Sequence, residues 1–361
     1  MRSLFMKMLL IFGLVVALAV GGFGSAVVVV LEATINNTVL ELSQRNTQAR
    51  AEYFSEWVKA RKGEIEGLAA IPAIAQLRAP EALETLAAFR STKVGIYDLL
   101  FYGGLEGLAY TTSGATPDIS NRSYFVDMKN GADIAVSEPI ISRATGQPVF
   151  VISKAIRRDG DFYGFAAGSI ELKTITAAAE ALTLTASGGG EFGFILTKDG
   201  IPLAFPDEKV RMNVSFTQDK EIGDEEIKTA FAAWETLRPA AEKMVAGENS
   251  YFQFTKDNAT FICFFAPIDN TPGWSLGIVV PAKTILGTGD RIRILTSLGV
   301  VVSVLLALFI TAIVARLISK PIIKTEERLL ELAEGEANLT ARLPVKSRDE
   351  VGKLEIGRAH V

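Results

Sequence analysis

The chain is poor in the side chains that most enzyme chemistry needs. Its 361 residues include one cysteine, Cys263, and one histidine, His360. A single cysteine cannot close an internal disulfide, and a four-thiolate zinc site is excluded. Cys263 sits in the apolar run "FICFFAP" and reads as a small buried hydrophobe. With no other histidine, the body of the chain cannot hold a Ser-His-Asp or Cys-His arrangement. It has no phosphate-binding GxxxxGK loop, no GxSxG and no HExxH. An excess of basic charge is missing too. Lys and Arg number 37 against 41 acidic residues, a net charge of -4 without a dense basic patch, so nucleic acid is not an expected partner. The acidic residues scatter over turns and helix faces, and strings such as "RRDGDF" read as turns. No enzyme signature, cofactor or metal is expected.

Two long uncharged runs are present, Met8 to Leu31 and Ile294 to Ala315. At about 1.5 Å per residue they reach about 36 and 33 Å, enough to cross a hydrocarbon core of roughly 30 Å. "ALA" at 17–19 resembles a signal-peptide cleavage site. The apolar run continues well past it, however, beyond the roughly 7–15 residues of a signal core, so an uncleaved anchor is expected. Arg2 and Lys7 precede the first run, and Arg316, Lys320, Lys324 and Arg328 follow the second. That bias puts both ends in the cytoplasm, with the region between them outside a two-pass protein of the cytoplasmic membrane.

Residues 32–91 read as a stalk helix and a connection. Ile35, Val39, Leu42, Asn46, Ala49, Tyr53 and Glu56/Trp57 step by four and three, a heptad seam that begins at the membrane. It reads either as a helix packed on its own domain or, as favoured here, as a stalk that also pairs with a second copy. From 92 to 186 short strand patterns alternate with Gly, Pro, Asp and Asn clusters, which implies an antiparallel sheet. "NRSYFVDMKNG" interrupts it as a short helix and loop. Residues 187–285 partly repeat the pattern: a hairpin turning at Asp199-Gly200, a helical stretch "DEEIKTAFAAWETLRPAAEKMVAG", a second hairpin and a last strand "GWSLGIVVP". The expected fold is α+β: a stalk helix and two tandem antiparallel-sheet modules between two membrane helices.

Residues 35–285 resemble a double Cache sensor, in which one stalk helix carries a membrane-distal and a membrane-proximal PAS-like module. "RSYFVDMKNG…VSEPIISRATGQPVFVISKAI…GFAAGSIEL" resembles the distal core, and "GWSLGIVVP" the last proximal strand. Residues 316–354 resemble a HAMP domain that is incomplete. Pro321 stands where that family opens its first helix, and Asp349, Glu350 and Gly352 match the signature opening its second. Ile318, Ile322, Thr325, Leu329 and Leu332 form the first helix's seam, with Gly335 as its stop.

The resemblance implies a small ligand held between the distal sheet and a covering segment. In amino-acid-binding relatives, an Arg and an aromatic on that segment hold the carboxylate. Those positions are Arg122, Tyr124 and Phe125 here. A guanidinium fork suits a carboxylate, and Tyr124 adds a hydroxyl and an apolar wall. The family's Tyr-x-Asp and late Asp, which hold the ammonium, fall on Ile140, Ser142 and Ser169. An ammonium buried without an anion costs several kcal/mol. The expected ligand is therefore a short carboxylate rather than an α-amino acid, with Arg122 as anchor and Ser142, Ser169 and Lys154 lining the pocket. A structural salt bridge from Arg122 to Asp118 or Asp127 is the alternative.

The resemblance further implies a homodimeric receptor that signals through HAMP, foremost a methyl-accepting chemoreceptor contacting a kinase and adaptor. A sensor histidine kinase or diguanylate cyclase is the second reading, and a binding protein without output the third. The ending "EIGRAHV" bears on that choice. Ile356 to Val361 can be encoded by ATC GGA AGA GCA CAC GTC, the start of a common sequencing-library adapter, with Glu355 supplying the preceding AG. The expectation is that the genuine sequence stops near Leu354, that residues 355–361 are adapter read-through, and that His360 has no function.

Overall fold

The computed structural model describes residues 4–182, 184, 190–219 and 221–333. The fold is α+β, and the chain divides into two compact units. One holds residues 37–287; the other joins the described residues up to 36 with those from 288 onward.

The second unit is helical. It is formed by the start of α1 (Leu4–Ala69) and most of α8 (Ala282–Ala333). Both helices have stretches long and apolar enough to cross a membrane. Their outward-facing Leu, Val, Ile and Phe side chains are exposed in the protein alone, which suits lipid as the surrounding solvent. Glycines let the two helices approach. Gly13, Gly21 and Gly24 face Leu308, Val304 and Val300, and a Cβ on Gly24 would come within 2.7 Å of Val300 Cγ2. Helix α8 runs unbroken through Pro321, so no separate helix starts there; a proline in a helix interior removes one backbone donor. Gly335, Asp349, Glu350, Gly352 and residues 355–361 lie outside the described residues.

The larger unit holds two antiparallel sheets. The distal sheet has β1 (Leu99–Gly104), β2 (Ala109–Thr111), β3 (Ile134–Val136), β4 (Ile140–Ile141), β5 (Pro148–Arg158) and β6 (Asp161–Glu171) in the order β2-β1-β6-β5-β3, with β4 also paired to β5. The proximal sheet has β7 (Phe192–Leu196), β8 (Pro202–Ala204), β9 (Ser250–Lys256), β10 (Ala259–Ile268) and β11 (Trp274–Pro281) in the order β8-β7-β11-β10-β9. Between α1 and β1 lie α2 (Pro72–Ala75) and α3 (Glu81–Thr92), and α5 (Leu172–Glu180) leaves β6 toward the proximal module.

Both faces of the distal sheet are buried, so its long strands are apolar nearly throughout. On one face Phe150, Ile152, Ile156, Ala166 and Ile170 join Leu100 and Tyr102 in a cluster with Phe54, Val58, Ile65 and Leu68 of α1. On the other, Val149, Val151, Ala155, Phe165 and Ala167 pack with Leu99, Phe101 and α4 (Ser123–Lys129). Helix α1 lies so close to the first face that a Cβ on Gly168 would sit 2.7 Å from the Tyr97 ring and 3.0 Å from Ile65. The opposite side of α1 stays open. Leu42 is 60% and Tyr53 70% exposed, and Asn46 and Ala49 are exposed between them. Val39 and Trp57, placed in the same seam by spacing, pack instead against the core that α1 shares with the two sheets.

The proximal sheet is covered by Phe205, Phe216 and Leu237, together with Ala240, Ala241 and Met244. The expected single helical stretch is three pieces: α6 (Glu225–Ala232), a 3-10 turn at Glu235–Leu237, and α7 (Arg238–Val245). Asp224 caps α6 by accepting from Glu226 N and Ile227 N, and Pro239 stands in the first turn of α7. Proline has no N–H to extend a preceding helix but fits the start of a new one.

Candidate ligand cleft

The cleft opens on the α4 side of the distal sheet. Its floor is a row across three strands: Ser169 of β6 stands opposite Leu99 of β1 on one side and Val151 of β5 on the other. Phe101, Ala109 and Thr111 extend the floor, and Ile140 with Val149 closes its far edge. Pro117, Ile119, Arg122 and Tyr124 form the covering wall. The cleft spans about 380 Å³ of empty space, most of it at its open mouth.

Two guanidiniums stand at this cleft, and none of its lining residues is acidic. Arg122, just ahead of α4, donates from Nη2 to the main-chain carbonyl of Ile141 at 2.7 Å. Among the described residues it is held by that carbonyl and not by an ion pair with Asp118 or Asp127. Arg143 donates to the carbonyl of Asp118. The Asp118 carboxyl is held below its usual range mainly by the Ser120 backbone N–H, with a smaller contribution from Arg143. The Tyr124 hydroxyl is pushed up to about 12, because burial outweighs the pull of Arg122 and Arg143. It therefore keeps its proton at neutral pH and can donate to an anion.

The hydroxyls of Ser142 and Ser169 are at the cleft but partly engaged. Ser142 Oγ accepts from Thr145 N at 3.2 Å, and Ser169 Oγ accepts from Leu99 N at 3.1 Å. Two expected lining residues are elsewhere. Lys154 points to the α1 face of β5, where Nζ binds Asp133 at 2.6 Å and Glu66 at 3.0 Å. The reason is strand alternation: Val149 and Val151 look into the cleft, so Lys154, an odd number of residues on, looks away. Phe125 is buried beneath α4, edge-on to Phe162 and Phe165. One residue along a helix turns the side chain by about 100°, which sends Tyr124 to the cleft and Phe125 to the sheet.

Two charged residues at or beside the cleft were not anticipated from sequence. Arg143 is adjacent to Ser142 in "SRATG", and that adjacency was a usable signal. Asp98 stands just ahead of β1, and its Oδ2 accepts from Thr145 Oγ1 at 3.1 Å and Ser169 Oγ at 3.4 Å. Its partners are 47 and 71 residues away in sequence, so no local pattern announces them.

Residues 31–288 match the Cache domain family (dCache_1), and residues 313–355 match the HAMP domain. The methyl-accepting chemotaxis protein PctB of Pseudomonas aeruginosa is 23% identical over 331 residues, covering 90% of this chain and 48% of PctB. The methyl-accepting chemotaxis protein McpA of Bacillus subtilis is 21% identical over 320 residues, covering 88% of this chain and 42% of McpA. The chain thus spans about half, or less, of the length of these curated relatives. The ligand-binding domain of the Pseudomonas fluorescens chemoreceptor CtaA, solved with L-isoleucine, has the same fold. Its TM-score is 0.52 at 20% identity, with 72% of this chain and 97% of that one covered. By the match over residues 31–288, with a HAMP domain following, this chain belongs to the Cache domain family.

Proposed function

We propose that this chain is the sensing part of a two-pass receptor of the cytoplasmic membrane, with the Cache region outside the cell's inner compartment. Its distal cleft takes a small carboxylate anchored on Arg122. The observation that carries the ligand class is the lining: two guanidiniums and no acidic side chain. Arg122 spends one N–H on a carbonyl and keeps the rest of its fork for an anion. Asp98, an anion beside the cleft, already accepts from two hydroxyls. CtaA was solved with an amino acid, which makes amino acids the natural competitor. Titrating the full chain in lipid nanodiscs with a panel of short organic acids and amino acids separates the two. Binding of an acid and not of amino acids is expected. Tight binding of an α-amino acid would overturn the carboxylate reading.

The output proposed is that of a methyl-accepting chemoreceptor, working as a homodimer through the open side of α1. Support comes from relatives such as PctB and McpA and from the HAMP match. The parent gene tests it. Long heptads without catalytic motifs are expected beyond Leu354; a phosphoacceptor histidine with an ATP-binding module, or a cyclase domain, would contradict it.

A further inference from the structure

Glu138 lies in the short link between β3 and the cleft-lining β4. The link is pinned at both ends. Ser137 exchanges two 2.8 Å hydrogen bonds with the Val151 backbone of β5, and the carbonyl of Ile141 is held by Arg122. Between these pins Glu138 reaches the proximal module, lying against Trp274 at the start of β11 and near Lys198 and Asp199 in the β7–β8 turn. Both carboxyl oxygens and Trp274 Nε1 are buried and meet no partner at full hydrogen-bond geometry among the described residues, although the indole N–H faces the carboxyl group. Buried polar atoms are nearly always satisfied, and a buried charge without a hydrogen bond is costly. Trp274 also packs edge-on against Phe150 of the distal sheet, ring centroids 5.2 Å apart. It thus joins the two modules, and strand β11 continues from it directly into α8.

We infer that Glu138 is a proton-sensitive latch between the two sheet modules. Uncharged, its carboxyl group stays buried at Trp274 and holds the modules together; charged, the cost of burial outweighs the indole N–H and draws it toward water. Of the groups facing it, Lys198 and the Trp274 indole N–H favour the charged form and Asp199 opposes it. Burial is the dominant influence and pushes the Glu138 carboxyl above the usual carboxylate range. For an acid raised in this way, the tight junction is present at low pH and is lost as pH rises through the raised value. The latch responds to protons alone, so its fate does not depend on which ligand the distal cleft takes.

The test uses the full chain in nanodiscs, with Trp57→Phe and Trp234→Phe leaving Trp274 as the sole indole of the three. Its emission is expected to titrate with a midpoint above the ordinary glutamate value of about 4.3. Glu138→Gln should abolish that titration, and Lys198→Met should move its midpoint higher. A midpoint in the ordinary range, or one that survives Glu138→Gln, would overturn the latch. A second measurement keeps the native tryptophans. The melting temperature of Glu138→Gln should exceed that of the wild type at neutral pH and converge with it in acid. Equal melting temperatures at neutral pH would count against the proposal.

Discussion

At the scale of single residues, the proposed carboxylate site relies on guanidinium N–H groups left over at Arg122. Arg143 has part of its charge matched by the nearby Asp118, so Arg143→Ala should weaken carboxylate binding by less than tenfold, about 1 kcal/mol. Lys154→Met should leave ligand affinity unchanged. Its partners Asp133 and Glu66 are more than half exposed, so the loss in unfolding free energy should stay within about 1 kcal/mol. Calorimetry on both variants checks the pair. Lys154 also marks where sequence reading stops. In "PVFVISKAI" both faces of the strand are apolar because both are buried, so no polar alternation shows which way the lysine points. Arg122 and Tyr124 were legible because they share one short segment; Asp98 was not, because only tertiary pairing brings it to Ser169.

At the scale of elements, close approach and capping set the sensitivities. Gly168→Ala puts a Cβ against the Tyr97 ring and Ile65 and should destabilise the fold by roughly 1–3 kcal/mol. Gly63, within α1, has open space around its would-be Cβ, so Gly63→Ala should stabilise by about 1 kcal/mol. Asp224→Ala, removing the α6 cap, should cost about 1 kcal/mol. Chemical denaturation of the three variants gives the signs. The long apolar runs and the strand succession were readable because burial on two faces, or immersion in lipid, leaves long uncharged stretches. The start of α7 carried a signal in Pro239, whereas the end of α6 at Ala232 did not, since the residues there are helix formers without a glycine.

At the scale of the whole molecule, the α1 side formed by Leu42, Asn46, Ala49 and Tyr53 is open within one chain, and the proposed dimer closes it. In a Cys263→Ala background, Ala49→Cys should crosslink two copies under mild oxidation. Ala51→Cys, whose position is 1% exposed and packed in the core shared with the two sheets, should not. The account's central claim is that the distal cleft binds its ligand through Arg122. The most direct measurement is titration calorimetry of a carboxylate that binds the wild-type chain, repeated on Arg122→Ala and Arg122→Lys. Arg122→Ala should weaken binding about 100-fold or more, the loss expected for a desolvated charge-assisted pair. Arg122→Lys should recover only part, since it restores the charge without the fork, and both variants should melt like the wild type. Unchanged affinity in Arg122→Ala would contradict the account.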